Sequence, residues 1–300
     1  MIIDAHCHIW DKSIINGDFA KIVDASTKKL KCPNPELISE ANAKRLVQEM
    51  EEAGIDKTIL LALDGHLKFR SNLTYKDYNN YVADILKEYP DKFIGFAGID
   101  PRRGKEAIME LERCVGNLGF GGVKFWTLTG FYPDDKNYYP FYQRVEELNV
   151  PILVHTGLGP QYTYLKYCQP IYVDTIAVDF PQINFILAHM GDPFTNQAFA
   201  VAAKNPNVFL DISAWEPVLK FAPPAFIQNL YQAKMTCGIE KILFGSDWPL
   251  FTHILSQAEW VKGIKKLKIP PPLKLMGIEE FTEEEKNAIL GGNTARLLNL

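Results

Sequence analysis

The chain has 300 residues, 47% apolar and 23% charged, a globular balance long enough to bury a large core without disulfides or a structural metal. Lys and Arg number 32 against 36 Asp and Glu, and a formal charge of −4 leaves no electrostatic footprint for nucleic acid or an anionic membrane surface. The five cysteines (Cys7, Cys32, Cys114, Cys168, Cys237) are odd in number and form no CxxC pair, and no apolar stretch nears the roughly 20 residues of a membrane span.

The opening MIIDAHCHIW lacks the basic start and long apolar run of a secretory signal, so the expectation is a soluble, cytoplasmic protein. Met1–Ala5 reads as the first strand, and Asp11–Asn34 after it as an insertion. Pro35–Ala53 reads as an amphipathic helix, with Leu37, Ala41, Leu46, Val47 and Met50 near one face and Gly54 as its stop. Strand and helix then alternate. The further strands are Lys57–Leu63, Phe93–Ile99, Gly122–Trp126, Val150–Val154, Ile183–Ala188, Val208–Ile212 and Lys241–Gly245. Between and after them the helices are Tyr75–Tyr89, Gly104–Leu118, Tyr138–Leu148, Ile171–Phe180, Asn196–Lys204, Pro224–Cys237 and Ser256–Leu267. The strands are apolar almost throughout, as expected when both faces are covered.

Eight such units predict an α/β chain closed into a (β/α)8 TIM barrel. We expect a single domain over residues 1–300, with the insertion after strand one and a last helix near Thr282–Asn299. An open doubly wound sheet would need a glycine-rich phosphate turn after the first strand, and HCHIW has no glycine there.

Four of the six histidines end strands. His6 and His8 are two apart on an extended segment and share a side, His155 ends strand five (ILVHTG) and His189 ends strand six (FILAHMGD). Asp247 follows strand eight in FGSDWP. Singly, each histidine also reads as a hydrogen-bonded structural residue, and the GSD turn as a helix entry. Together, at one rim of a barrel, they point to a shared divalent metal. Imidazoles with one carboxylate suit zinc, and manganese or iron accept the same donors.

DAHCHIW, GVKFW, ILVHTG, FILAHMGD, LFGSDWP and ILGGNTARLL, in this order, resemble the amidohydrolase superfamily, in the branch that holds aminocarboxymuconate-semialdehyde decarboxylase, the resorcylate-type decarboxylases, oxalomesaconate hydratase and sugar or dicarboxylate lactonases. The resemblance implies one metal on His6, His8, His155 and Asp247, with Asp247 also exchanging a proton and His189 beside the substrate. It also makes a homodimer an expectation by analogy. Lys124, ending strand four, is where binuclear relatives carry a carboxylated lysine, and it reads alternatively as a substrate contact or a supporting residue.

Trp10, Trp126, Trp215 and Trp248 fall near strand ends, where they line a pocket or cap the core. His66 and Arg70 on the loop after strand two, and Glu216 beside Trp215, read as mouth residues or as solvated loop residues. Candidate substrate contacts are therefore Lys124, Trp126, Trp10, Trp215 and Arg70. The stretch MGDPFTNQAFAVAAK after His189 holds no arginine, whereas the decarboxylases of the branch generally place one soon after that histidine, or elsewhere in the mouth, to fix a carboxylate. The expectation is therefore a metal-dependent hydrolase of a small ester, lactone or amide. The alternatives are a non-oxidative decarboxylase of a small aromatic or unsaturated acid, and a barrel that binds without catalysis.

Overall fold

A computed structural model describes residues 1–300. Eight strands form one sheet in chain order, every neighbouring pair parallel: β1 Ile3–Cys7, β2 Lys57–Leu61, β3 Phe93–Gly98, β4 Gly122–Phe125, β5 Ile152–Val154, β6 Phe185–Leu187, β7 Val208–Asp211 and β8 Ile242–Leu243. The ring closes between its ends through backbone bonds. Ala5 N donates to Phe244 O at 2.8 Å, Asp247 N to His6 O at 2.8 Å and His8 N to Trp248 O at 2.7 Å. This is the expected TIM barrel. Each strand lies inside its predicted range or within two residues of it, because strands covered on both faces spell continuous apolar runs.

Ala5, Ile59, Leu61, Phe96, Leu153, Ile186 and Leu243 pack the barrel interior, and Leu297 of the last helix joins them. Helices cover the outside, and none is long and apolar enough to cross a membrane.

Two helical readings need correction. Pro35–Ala53 is two helices, Glu36–Ser39 and Ala43–Ala53. Between them Ala41 pairs antiparallel with Trp10, and the Asn42 side chain accepts from Arg45 N at 3.1 Å to cap a new start. The tail is also divided, into Glu283–Asn287 and Asn293–Leu297 around a wider turn. The insertion after β1 contains a helix of its own, Gly17–Lys29.

Candidate metal centre and its cavity

The centre begins at an irregularity in β1. Its register against β2 shifts between Asp4 and Cys7, and such a bulge re-aims the side chains beside it. Asp4 turns to the seam with the last strand. It accepts from His6 N at 3.1 Å, Ser246 N at 3.0 Å and Gln257 Nε2 at 3.1 Å, and burial pushes its carboxyl up to about 6. One carboxylate thus fixes the backbone of both segments that carry the candidate ligands. Gly245 leaves the space they need, since a Cβ there would stand 2.9 Å from that of His6 and 3.1 Å from that of Ser213.

His6 Nδ1 lies 2.9 Å from Asp211 Oδ2, which leaves Nε2 buried without a hydrogen-bond partner. That nitrogen is 3.4 Å from Asp247 Oδ1, and His8 Nε2 is 3.5 Å from the same oxygen. His8 Nδ1 is engaged at 3.1 Å by Leu61 O. Each imidazole therefore has one nitrogen anchored and the other turned on a single carboxylate, the arrangement by which outer partners orient metal-binding histidines. Burial pushes His8 down to about 3 and His6 well below its usual value, so both are neutral donors. Burial also holds the Asp247 carboxyl well up, against the opposing pull of Lys124. Two neutral nitrogens and one oxygen, all within 4.8 Å of one another, fit a divalent cation.

His155 stands outside this closest set. Its Nε2 lies 3.1 Å from Leu158 O, and its ring packs 4.9 Å from that of His189. His189 is 4.8 Å from His6, its Nδ1 2.8 Å from Ser213 Oγ and its N–H donating to Asp211 Oδ1 at 3.0 Å. His6, His189 and Asp211 form a second close group, but the Asp211 contacts there are hydrogen bonds that orient the rings. Sequence reasoning missed Asp211 and Ser213. The available signal was a lone carboxylate ending the apolar run VFLD.

Lys124 is 1% exposed, and its Nζ has no hydrogen-bond partner. Burial pushes its amine down to about 8, opposed by Asp211 and Asp247. It belongs to the buried base of the site and not to the cavity lining.

Above the centre opens a cavity of about 300 Å³ with His8, His155, His189 and Asp247 on its floor and Trp10, Trp126 and Trp215 in its wall. Trp10 stacks on His8 at 5.9 Å, and Trp215 Nε1 donates to His189 O at 2.9 Å. Trp248 does not line it. Its Nε1 donates to Glu49 Oε2 at 2.9 Å, and the Arg45 guanidinium lies 4.8 Å from its ring centre, so the side chain is held outward. Arg70 is exposed and borders, with His66, a smaller neighbouring pocket. Glu216 is neither solvated nor in the cavity wall: it is 1% exposed, with both carboxyl oxygens unpartnered. Asp192, also missed, is half-buried in the lining, and burial raises its carboxyl.

The family described as amidohydrolase matches residues 3–300. The 2-amino-3-carboxymuconate-6-semialdehyde decarboxylase of Dictyostelium discoideum is 24% identical over 99% of this chain and 84% of its own length. A gamma-resorcylate decarboxylase of Polaromonas is 25% identical over 73% and 80%. The 2-keto-4-carboxy-3-hexenedioate hydratase of Sphingobium is 29% identical over 99% and 96%. A dihydroxybenzoic acid decarboxylase from Polaromonas, solved with manganese and 2-nitroresorcinol, superposes with a TM-score of 0.71 at 22% identity, covering 100% of this chain and 97% of that one.

Proposed function

The chain belongs to the amidohydrolase family, and from that premise we propose that it is a metal-dependent decarboxylase of a small aromatic or unsaturated carboxylic acid. The relatives back this alternative better than hydrolysis of an ester, lactone or amide, since two that align over most of the chain are decarboxylases. The observation that carries the reading is the buried His6–His8–Asp247 set opening onto a tryptophan-walled cavity in a chain with those relatives.

His6, His8 and Asp247 would hold the cation, and His155 joins them by resemblance to the family. When bound, a divalent ion supplies the positive charge that fixes the substrate carboxylate and a neighbouring oxygen. Manganese is present in the Polaromonas structure, and zinc suits the same donors.

The remaining steps fall to the side chains. Asp211 holds His6 in orientation. Trp10, Trp126 and Trp215 keep water from the bound ring. Asp247 delivers a proton to the carbon that bears the carboxylate. The carbon–carbon bond to the carboxylate then breaks, its electron pair returns to the ring or double bond, and carbon dioxide leaves. His189, fixed by Ser213 and Asp211, steadies the adjacent substrate oxygen as charge moves through it.

The test is carbon dioxide release by the manganese- or zinc-loaded protein from 2,6-dihydroxybenzoate and related hydroxybenzoates, beside acid release from a lactone and ester panel. Release of carbon dioxide that stops on metal removal is expected. Acid release from lactones with no carbon dioxide from any acid would sink the proposal. The Sphingobium relative favours a second reading, addition of water to an unsaturated acid, which would register as loss of ultraviolet absorbance without carbon dioxide.

A further inference from the structure

The helix Gly17–Lys29 lies against the cavity, with its ends tied to different loops. At its amino end Asp18 N donates to Arg70 O at 2.9 Å, and Arg70 N donates to Asp18 Oδ2 at 2.9 Å. Gly17, at φ +53°, approaches the Arg70 carbonyl so closely that any side chain would collide. Just past its carboxyl end, Leu30 O meets His253 Nε2 at 3.1 Å.

Between these ties one helical face turns inward. Phe19, Ile22 and Val23 face the cavity, and Ser26 and Lys29 continue the same stripe, at helical spacings of three and four residues, out to the rim. The other lysines near this face are engaged: Lys21 pairs with Asp18 at 2.6 Å and Lys28 with Asp24 at 2.7 Å. Lys29 forms no ion pair, is exposed, and is the one Lys or Arg in the cavity lining. The cavity thus runs from a buried His/Asp floor, across apolar and aromatic walls, to a single cation at the open end. Its volume is at the small end for ligand pockets and suits one ring.

We infer that Lys29, with Ser26, is a specificity determinant that selects small flat acids carrying a second anionic group on the edge remote from the carboxylate held at the metal. This rests on the reading given under Proposed function and names the substrate class for that same site. An anion at the rim remains partly hydrated, so the gain is that of a screened pair, about threefold to tenfold in affinity.

The experiment titrates manganese-loaded protein with benzoate and with benzene-1,4-dicarboxylate, following tryptophan fluorescence. Wild-type protein should bind the dicarboxylate about threefold to tenfold more tightly at low salt, a preference that shrinks as salt rises. In Lys29→Met the ratio should fall toward one, whereas Lys28→Met, paired elsewhere and outside the lining, should keep the wild-type ratio. A wild-type ratio of one, or an unchanged ratio in Lys29→Met, overturns the assignment while benzoate binding leaves the reading of the site standing. If neither acid binds, that reading falls and this inference with it.

Discussion

The interior of the barrel and the mouth directly above it are built from opposite materials on the same strands. Below, Ala5, Ile59, Leu61, Phe96, Leu153, Ile186 and Leu243 form an apolar plug with almost no water contact. Toward the carboxyl ends of the strands, His6, His8, His189, Asp211 and Asp247 crowd ionisable groups into a similarly buried space. The backbone changes with them. His189, Met190, Ala214 and Asp247 have φ values of 60°, 49°, 62° and 48°, a left-handed region that side chains rarely adopt. The plug satisfies packing everywhere, whereas the mouth keeps desolvated groups and strained turns in place through the surrounding hydrogen bonds. Stability and chemistry are therefore separable along a strand, and substitutions at the two levels should have different signatures.

The sharpest contrast comes from Asp247→Asn, which should lower turnover by about 10³- to 10⁴-fold, roughly 4–5 kcal/mol in the barrier. Its thermal unfolding should stay close to wild type, and a large fall in unfolding temperature would blur the division between the levels. Phe96→Ala should do the reverse. Removing this fully buried ring from the plug should cost about 3–5 kcal/mol in denaturant unfolding while the folded fraction keeps its turnover. Asp211→Asn lies between the two, because it frees His6 without touching substrate. Metal affinity measured by chelator competition should drop about 10- to 100-fold.

The smallest effect is expected at Glu216, whose carboxyl burial holds well above its usual value, with Asp247, Asp4 and Asp211 adding to the rise. A raised folded value means that its contribution is fully present below the unfolded value and is lost as pH climbs through the folded one. Glu216→Gln should therefore match wild type near pH 4 and exceed it at pH 7 by about 1 kcal/mol, on the order of 2–4 °C. Equal unfolding temperatures at both pH values would show that the carboxyl is solvated or paired.

The contrast between plug and mouth also explains what could be read in advance. Fully covered strands announce themselves as apolar runs, so β1–β8 and their closure were visible in the sequence. His6, His8, His155, His189 and Asp247 stood out because polar residues ending such runs are conspicuous. Asp211 ends a run in the same way but lies between Leu210 and Ile212 without a histidine beside it, and composition gave no reason to single it out. His155 sits one ring away from the tightest set because Leu158 O occupies its Nε2, a contact made by a loop whose path no periodicity encodes. Trp248 turned outward for a similar reason, since Glu49 and Arg45 on a helix some 200 positions earlier decide where it points. The break at Glu40–Asn42 escaped notice because apolar spacing continues across it, while Trp10 pairs with Ala41 and Asn42 caps the next turn. Contacts distant in the chain decided the cases of Trp248 and the helix break, and a local loop contact decided that of His155.

The seam between the first and last strands has a temporal consequence. Gly245, Ser246 and Asp247 are made more than 230 residues after Asp4, His6 and His8, and the backbone bonds Ala5–Phe244, Asp247–His6 and His8–Trp248 join the two. The candidate ligand set can therefore assemble only after β8 has been made and meets β1. A nascent chain that has not yet reached β8 carries its histidines without the carboxylate they face, so the candidate centre comes together in one step, when the seam closes.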